Sequence, residues 1–422
     1  MPRSLTRVAV RFAAALVVAG LGVVGNPTTS PTAPAGPTMP VTAPTTPAGP
    51  ASSVTPQVQA AAQIRPRAGD FLTENVASVV ARRELAVYTT PDFSPQTDTG
   101  ERLAARDKVR VVGVATSAAV EPRLQIVGGF ISAASQDVRR PALRGPNADA
   151  SVAVDLTTGE ILWQDSANTK RRIASITKLL SVYLVLDWLE AGEGTWQTRV
   201  IMDDANLVKM SKDWNTGGFV FKRGRGYSVR DLYTLSVVES SNAAITALGI
   251  EVAGSNEAFL DEMNAKAKQI GMKSSKFISV SGLDNPSLKQ FGLVKPGTKA
   301  KAGNISTAAD VARLVRALLT DYPDVLDTSA ITKTTVRGKK VRNTNQMLPG
   351  GRFYDAGLAI DGLKTGYTSR AGYCLAATSA KPGHHPVAIV VLGAKNSKAR
   401  FAGTARLLHS IYDRWSLRDA PQ

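Results

Sequence analysis

A long stretch without a single charged side chain, residues 26–62, sets the first limit on what this chain can fold into. It holds nine of the 23 prolines, interleaved with Thr, Ala and Ser. Proline has no backbone N–H to contribute to a helix or a central strand, and such a composition cannot bury a core. We therefore predict a Pro/Thr/Ala-rich linker over residues 26–75. A globular fold has to come from the residues that follow it.

The segment before the linker has the layout of an export signal. Arg3, Arg7 and Arg11 form a positive start, and residues 12–25 are uncharged and mostly apolar. This run is shorter than the roughly 18–20 residues that cross a bilayer comfortably. No Cys follows it, which argues against a lipoprotein anchor. Residues 1–25 are predicted to be a signal peptide or an N-terminal anchor of an exported protein, associated with the cell wall or the membrane.

The ionisable and sulfur-containing residues exclude several kinds of chemistry. Cys374 is the single cysteine, so no intramolecular disulfide forms. Only three histidines, His384, His385 and His409, are available for a zinc site or a Ser-His-Asp triad. We expect no metal and no cofactor. The net charge of +17 suggests a polyanionic neighbour: nucleic acid, anionic lipid or a cell-wall polymer.

Residues 76–138 are predicted to form a small all-β barrel. Short alternating segments recur at 85–88, 109–114 and 124–127, with turn residues between them. The Leu-x-Val-Tyr pattern near the start and Gly-Gly-Phe-Ile at the end resemble a bacterial SH3-like domain. A net charge of +3 over residues 63–145 (12 basic minus 9 acidic) does not suggest a nucleic-acid surface. The domain could be a spacer or docking module, or it could bind peptidoglycan.

Residues 146–417 are predicted to form an α+β domain with an antiparallel sheet. The patterns indicate a hairpin over 151–163, a buried helix over 176–189, helices over 229–253, 256–270 and 306–319, strands over 360–367, 372–379 and 387–392, and a last helix over 397–415. The helical insert should lie to one side of the sheet, with a cleft between the two halves.

The first candidate motif is Ser175-Ile-Thr-Lys178, at the start of the buried helix. Residues i and i+3 lie on one helix face, so Lys178 can reach the Ser175 hydroxyl. A lysine whose pKa is lowered by burial or by a positive neighbour can act as the base that a serine nucleophile needs. The helix start also offers the Ser175 amide as an oxyanion donor.

Two further motifs follow in the chain. Ser240-Ser-Asn242 offers a hydroxyl that can relay a proton and an amide that can hold a substrate peptide. Lys364-Thr365-Gly366, on a predicted strand, offers a positive charge, a hydroxyl and a residue that lets a substrate approach the strand edge. Each motif alone could be a helix cap, a polar loop or a solvated strand. Their joint occurrence on suitable elements indicates one active site.

The three motifs in this order resemble the serine D-alanyl-D-alanine carboxypeptidases, the low-molecular-weight penicillin-binding proteins. The resemblance extends to 173–180 (IASITKLL), to 281–284 (SGLD) after Ile270, to 343–345 (NTN), and to 361–373 (DGLKTGYTSRAGY). It covers about two-thirds of the chain. It implies the penicillin-binding fold, a peptidoglycan stem peptide ending in D-Ala-D-Ala as substrate, β-lactams as inhibitors, and no metal or cofactor.

The resemblance also implies roles for individual residues. Ser175 attacks the carbonyl between the two D-alanines, Lys178 accepts its proton, and Ser240 protonates the leaving D-alanine. Asn242 holds the acyl-side amide, and Lys364 supplies the field. The backbone amides of Ser175 and Tyr367 form the oxyanion hole. Thr365 binds the terminal carboxylate together with Arg400, which could instead be a structural Arg of the last helix.

The sequence is also compatible with functions other than that of a carboxypeptidase. The commoner family motif has Gly and an acidic residue where this chain has Ser241 and Ala243. A β-lactamase shares the three motifs but usually needs a Glu-x-x-Leu-Asn loop, which is missing after Ser240. A peptidoglycan endopeptidase would use the same residues. A non-catalytic wall-binding scaffold is the non-enzyme alternative. Nucleic-acid binding is disfavoured because aromatic residues make up only 6% of an exported chain.

Overall fold

A computed structural model describes residues 71–74, 76–213, 215–216 and 218–414, which lie within one compact unit, Arg65–Gln422. The segment predicted as signal or anchor, residues 1–25, lies outside the described residues, as does the linker up to residue 70. Within the described ranges, no helix is long and apolar enough to cross a membrane.

The small N-terminal part is an antiparallel sheet of short strands. The strands are Ser78–Ala81 (β1), Leu85–Tyr88 (β2), Asp98–Leu103 (β3), Lys108–Thr116 (β4), Pro122–Ile126 (β5), Gly129–Ser132 (β6) and Val138–Arg139 (β7). Their order in the sheet is β3-β2-β6-β5-β4-β1-β7. The strands expected around 85–88, 109–114 and 124–127 are β2, β4 and β5. Alternate residues are buried on β2 (Leu85 and Val87) and on β5 (Leu124 and Ile126), as the two-residue period of a strand requires.

The folded part includes residues that the sequence assigned to the linker. Phe71 forms a β-bridge with Ala134, and the Leu72 amide donates to the Ala133 carbonyl at 2.8 Å. Both side chains pack against the core of the small sheet. Two consecutive large apolar residues explain this, because they gain more from burial than from an extended, solvated linker.

The larger part combines a central sheet with a helical insert. Its strands are Ala150–Asp155 (β8), Ile161–Asp165 (β9), Arg171–Arg172 (β10), Arg199–Ile201 (β11), Gly226–Ser228 (β12), Ile305–Ser306 (β13), Lys333–Val336 (β14), Lys339–Arg342 (β15), Ile360–Thr368 (β16), Gly372–Ser379 (β17) and Val387–Ala394 (β18). Its helices are Lys178–Glu190 (α1), Ala205–Lys212 (α2), Val229–Thr234 (α3), Asn242–Ala253 (α4), Asn256–Gln269 (α5), Asn285–Leu288 (α6), Ala308–Asp321 (α7), Val325–Ser329 (α8) and Ser397–Arg414 (α9).

The central sheet has the order β16-β17-β18-β8-β9, and every neighbouring pair is antiparallel. Its two faces are both covered. Along β18, Val390 belongs to the core shared with α1 and α7, whereas Ile389 and Val391 pack with Phe401 and other residues of α9. This alternation follows from the two-residue period of a strand. The expected α+β architecture, with strands at both ends of a helical insert, is confirmed.

Helix α1 runs through the middle of the larger core. Nearly every residue from Lys178 to Trp188 is buried, on all sides of the helix. A helix that is apolar all round needs partners all round. Here they include α4, α5 and α7. The helix that carries the first motif is therefore held rigidly by its surroundings.

The helical stretch expected over 229–253 is divided into three segments. Helix α3 continues into a π-helical turn, Leu235–Glu239, and the chain then breaks at Ser240 before α4 begins. Ser240 has a φ of +69°, in the left-handed region. The apolar periodicity continues on both sides of this break, so periodicity alone could not reveal it.

The small sheet packs against the C-terminal end of α9. The Ser78 hydroxyl donates to the Asp413 carbonyl, and the Arg144 amide donates to the Ser410 hydroxyl at 3.1 Å. Lys108 forms an exposed ion pair with the Asp413 side chain at 2.7 Å. The two parts are thus joined through polar contacts to one helix.

Candidate active site

Ser175 lies on a short 3₁₀ turn, Ala174–Thr177, that leads directly into α1. The preceding residue, Ala174, has a φ of +46°, an uncommon value for a residue with a side chain. Gly282 packs against this bend so closely that a Cβ there would lie 2.0 Å from the Ala174 carbonyl oxygen. The turn leaves Ser175 partly exposed while Lys178, three residues later, is fully buried.

The Lys178 amino group has three close partners. Its Nζ lies 2.8 Å from Ser175 Oγ, 2.7 Å from Asn242 Oδ1 and 2.9 Å from the Ser281 carbonyl oxygen. Burial lowers the pKa of Lys178 well below its usual value, and the nearby charge of Lys364 lowers it further. A lysine whose pKa is lowered in this way takes the neutral form more readily, and the neutral form is the one that can act as a base.

The second motif lies where the π-helical turn ends. The left-handed backbone of Ser240 turns the chain so that Asn242 can begin α4. The Asn242 side chain bridges two elements: Oδ1 faces Lys178, and Nδ2 donates to the Thr216 carbonyl at 2.7 Å. Ser241, where the family more often has Gly, has an ordinary φ of −56° and accepts the Ala244 amide as the helix cap. The departure from the common motif therefore imposes no backbone strain at that position.

The third motif lies on β16, at the edge of the central sheet. Lys364 is only 2% exposed, and burial together with the charge of Arg400 lowers its pKa to about 7. The Thr365 hydroxyl lies 2.5 Å from the Thr344 hydroxyl. Thr344 belongs to the 343–345 segment, so that segment lies beside β16 as its resemblance to the family suggested.

Gly366 has a packing role in addition to the role proposed for it from the sequence. A Cβ at this position would lie 2.9 Å from the Ile173 carbonyl oxygen and 3.1 Å from the Ser175 amide nitrogen. The missing side chain thus allows β16 to lie directly against the 3₁₀ turn that carries Ser175. The absence of a side chain therefore brings the third motif close to the nucleophile, and the approach of a substrate to the strand edge at Gly366 stays a prediction.

Arg400, near the start of α9, is 6% exposed and points at the backbone of two strands. Its Nη1 donates to the Gly366 carbonyl at 3.1 Å and to the Cys374 carbonyl at 3.0 Å. Burial lowers its pKa to about 10. These contacts fit the structural alternative considered for this residue as well as a binding role. Tyr367, next on β16, is 53% exposed and its ring lies 4.4 Å from that of Tyr373.

Two residues were missed as members of the site. The Ser281 carbonyl is the third partner of Lys178, although the 281–284 segment was recognised only as a family signature. Asn304 ties that segment to the first motif: Oδ1 accepts the Ile278 and Ser279 amides, and Nδ2 donates to Thr177 Oγ1 at 2.9 Å. No local pattern marks Asn304, because its partners lie far away in the sequence.

The structure thus brings all three motifs together at the junction of the sheet and the helical insert. Within the described ranges, no cluster of three or more His, Cys, Asp or Glu side chains could hold a metal ion. A partly exposed serine hydroxyl beside a buried lysine of lowered pKa supports covalent catalysis on a carbonyl group.

Comparison with known proteins agrees with this geometry. The family model for D-alanyl-D-alanine carboxypeptidases (peptidase family S11) matches residues 136–396. The D-alanyl-D-alanine carboxypeptidase DacC of Escherichia coli (strain K12) is 33% identical over 285 residues, 65% of this chain and 63% of that protein. The chain thus spans somewhat less than two-thirds of that relative's length.

Solved structures show the same fold. The crystal structure of a peptidoglycan synthesis regulatory factor (PBP3) from Streptococcus pneumoniae superposes with a TM-score of 0.60 at 35% identity, covering 63% of this chain and 74% of that one. Penicillin-binding protein D2 from Listeria monocytogenes, in its ampicillin-bound form, gives a TM-score of 0.52 at 30% identity, with 63% and 97% covered.

Proposed function

The chain belongs to the D-alanyl-D-alanine carboxypeptidase family, and from that premise we propose that it is a serine-type carboxypeptidase. Its substrates are peptidoglycan stem peptides ending in D-Ala-D-Ala, from which it removes the terminal D-alanine through an acyl-serine intermediate. The observation that carries the proposal is the environment of Lys178: full burial, a pKa well below the usual value, and Ser175 Oγ at 2.8 Å.

The three contacts of Lys178 suit an ammonium group that donates to all three oxygens, and they also suit the neutral amine that the lowered pKa favours. A neutral amine has two N–H groups and one lone pair. Asn242 Oδ1 and the Ser281 carbonyl can only accept, so they take the two N–H groups. The lone pair then faces Ser175, whose hydroxyl donates to it. This is the arrangement from which a general base removes a proton.

The reaction then proceeds in two steps. Ser175 Oγ attacks the carbonyl carbon between the two D-alanines as its proton passes to Lys178. The oxyanion is bound by the backbone amides of Ser175 and Tyr367. The C–N bond breaks as Ser240 gives its hydroxyl proton to the leaving amine and takes the proton held by Lys178, which leaves Lys178 neutral again. Water then attacks the ester and gives a proton to Lys178. That proton returns to Ser175 Oγ when the ester C–O bond breaks, which restores the Ser175 hydroxyl.

Substrate binding uses the remaining polar groups. Thr365 and Lys364, with Arg400 behind the strand, attract the terminal carboxylate. Asn242 Nδ2 has one N–H that is not directed at Thr216, and it holds the acyl-side carbonyl. Gly366 keeps β16 close to Ser175, which aligns these groups with the nucleophile.

The test is labelling of the full-length protein with a fluorescent penicillin, followed by intact-mass analysis, with Ser175→Ala as control. The ampicillin-bound relative suggests that a β-lactam amide can occupy such a site. A stable adduct on the parent alone supports an acyl-serine mechanism. Rapid drug turnover without a lasting adduct would indicate a β-lactamase, and a folded but inert protein would indicate a scaffold.

A second assay separates the two peptidase activities. D-Alanine release from an acyl-D-Ala-D-Ala peptide, and cleavage of cross-linked dimers, are measured on the same preparation. We expect efficient release of D-alanine. Preferential cleavage of the dimers would replace the carboxypeptidase assignment with that of an endopeptidase.

We further propose that the protein is exported, with residues 1–25 as signal or anchor and the linker holding the folded part away from the membrane. The small sheet of residues 78–139 is proposed to be a bacterial SH3-like module, supported by its short antiparallel strands. Fractionation of cells expressing the full chain tests the first proposal. Superposition of an experimental structure of this sheet on solved SH3-like domains tests the second.

A further inference from the structure

The hairpin formed by β14 and β15 carries charge of one sign. Residues 333–342 (KTTVRGKKVR) contain five basic residues and no acidic one. In the observed register Lys333 lies opposite Arg342, and Thr335 lies opposite Lys340. Opposite residues share a face, so Lys333, Lys340 and Arg342 lie on one side of the hairpin. We name these three residues the cationic face.

The two faces of the hairpin have opposite environments. On the inner face, Val336 and Val341 are 5% and 1% exposed. On the cationic face, all three basic residues are exposed. The burial of the valines fixes the orientation of the hairpin, because a shift by one residue would exchange the faces. The cationic face is therefore held toward the outside of the molecule.

These charges are not neutralised within the described part of the chain. There, none of the three forms an ion pair within 4 Å, whereas Arg337 at the turn lies 3.8 Å from Asp231. Lys333 and Arg342 have the same sign and lie directly opposite, with Cβ atoms about 5 Å apart, an arrangement that destabilises a hairpin. The repulsion between Lys333 and Arg342 destabilises the protein when nothing is bound to the hairpin. A bound anion would attract both side chains and offset that repulsion.

The hairpin is also connected to the active site. The chain leaves β15 through Asn343 to Thr344, whose hydroxyl lies 2.5 Å from that of Thr365. The Thr344 amide donates to the Val238 carbonyl at 3.3 Å, in the turn that precedes Ser240. Arg342 is two residues from Thr344, at most about 7 Å along the chain. An anion on the cationic face is therefore close to a substrate at Thr365.

We propose that the cationic face binds carboxylates of the anionic wall polymer that carries the substrate peptide. The proposal rests on the proposed function, because a polymer with unprocessed peptides presents many terminal carboxylates around the one being cleaved. The hairpin has no exposed apolar residue at its Arg337-Gly338 turn that could enter a bilayer, which favours the polymer over a lipid surface. The face holds the polymer near the site and raises the local substrate concentration.

The experiment compares two full-length triple variants with the parent. One is Lys333→Gln/Lys340→Gln/Arg342→Gln. The matched control, Lys268→Gln/Lys273→Gln/Lys276→Gln, removes three other exposed lysines and the same net charge. D-Alanine release is measured from insoluble peptidoglycan and from a small acyl-D-Ala-D-Ala peptide, at about 20 mM and about 500 mM salt.

We expect the hairpin variant to lose about tenfold in turnover of the polymer at low salt, and the control to lose much less. The difference should nearly vanish at high salt, and turnover of the small peptide should be unchanged. Equal polymer turnover by both variants would overturn the proposal. So would an equal loss on the small peptide, since the hairpin would then act only through the site.

Two further measurements test a lipid surface as the partner and control for loss of stability in the triple variant. Cosedimentation with phosphatidylglycerol vesicles tests a lipid surface: loss of vesicle binding with unchanged polymer turnover would replace the polymer by a membrane. If the triple variant melts at a lower temperature than the parent, the single variant Lys340→Glu replaces it in the comparison of polymer turnover with small-peptide turnover. A parent that releases no D-alanine from the small peptide would instead contradict the proposed function.

Discussion

The active site and the β14–β15 hairpin use the same kinds of side chain under opposite conditions. Lys178 and Lys364 are 0% and 2% exposed, whereas Lys333, Lys340 and Arg342 are exposed. Burial penalises the charged form, so the pKa of Lys364 falls to about 7 and that of Lys178 falls well below its usual value. In this basic chain, tertiary position therefore decides whether a cation does proton chemistry or attracts anions.

Among the substitutions that compare buried with exposed cations, Lys178→Met should cause the largest loss of activity. It removes the base and leaves Asn242 Oδ1 and the Ser281 carbonyl without their donor. We expect kcat for an acyl-D-Ala-D-Ala peptide to fall by about 10³-fold. Steady-state D-alanine release measures it, and Lys340→Met is the exposed control, which should stay near the parent. A similar loss of kcat in Lys178→Met and Lys340→Met would contradict the idea that only the buried lysine takes part in proton transfer.

Lys364→Met should have the second largest effect, about 10²-fold in kcat/KM. In the parent, the Lys364 charge that attracts the carboxylate is present below its pKa of about 7 and is lost as the pH rises through that value. We expect this alkaline decline to be absent in the variant. The pH dependence of kcat/KM measures it, and a variant that keeps the same decline would show that another group causes it.

Arg400→Gln should change both rate and pH dependence. The positive charge of Arg400 lowers the pKa of Lys364, so its removal favours the charged form of Lys364 and should move the alkaline decline to higher pH. Loss of the bonds to the Gly366 and Cys374 carbonyls should lower kcat/KM by about tenfold. Arg400→Lys keeps the charge, so its decline should stay near the parent's position. Identical pH profiles in all three proteins would contradict this.

Lys108→Gln should have the smallest effect. The ion pair with Asp413 joins the small sheet to α9, but its side chains are 50% and 43% exposed, and water screens the pair. We expect a loss of less than about 0.5 kcal/mol in the free energy of unfolding and no change in D-alanine release. Denaturant unfolding measures it. A loss of several kcal/mol in the free energy of unfolding would contradict this expectation, because it would show that an exposed ion pair contributes strongly to stability.

Many strands and helices of the larger part could be predicted from the sequence, because hydrophobic periodicity is a property of short segments. The strands at 372–379 and 387–392 alternate or form short apolar runs, and the final helix has helical periodicity from Ser397 onward. The break at Ser240 and the hairpin of β14 and β15 were not predicted. The first depends on a left-handed residue that periodicity does not register, and the second is short and rich in lysine, which is uncommon in strands.

The sequence indicated most of the residues that meet at the candidate site, but only some of their contacts. Ser175, Lys178, Asn242 and Lys364 were recognised as residue types at the right spacing, and the structure brings them together. Asn304 and the Ser281 carbonyl were missed, since a backbone carbonyl has no sequence signal and an isolated Asn has no distinctive neighbours. The packing role of Gly366 was also not predicted, because its closest neighbours lie on a turn almost two hundred residues earlier.

The sequence by itself determined most of the longer helices and strands, the three motifs and the family, because propensity, periodicity and motif spacing are properties of short segments. Only the tertiary structure decided the lowered pKa values, the partners of Lys178, the fit of Gly366 against Ser175 and the outward orientation of the hairpin's charges. Each of these depends on which distant residues exclude water from a side chain or approach it within a few ångströms. That information arises from packing, and no local pattern in the chain contains it.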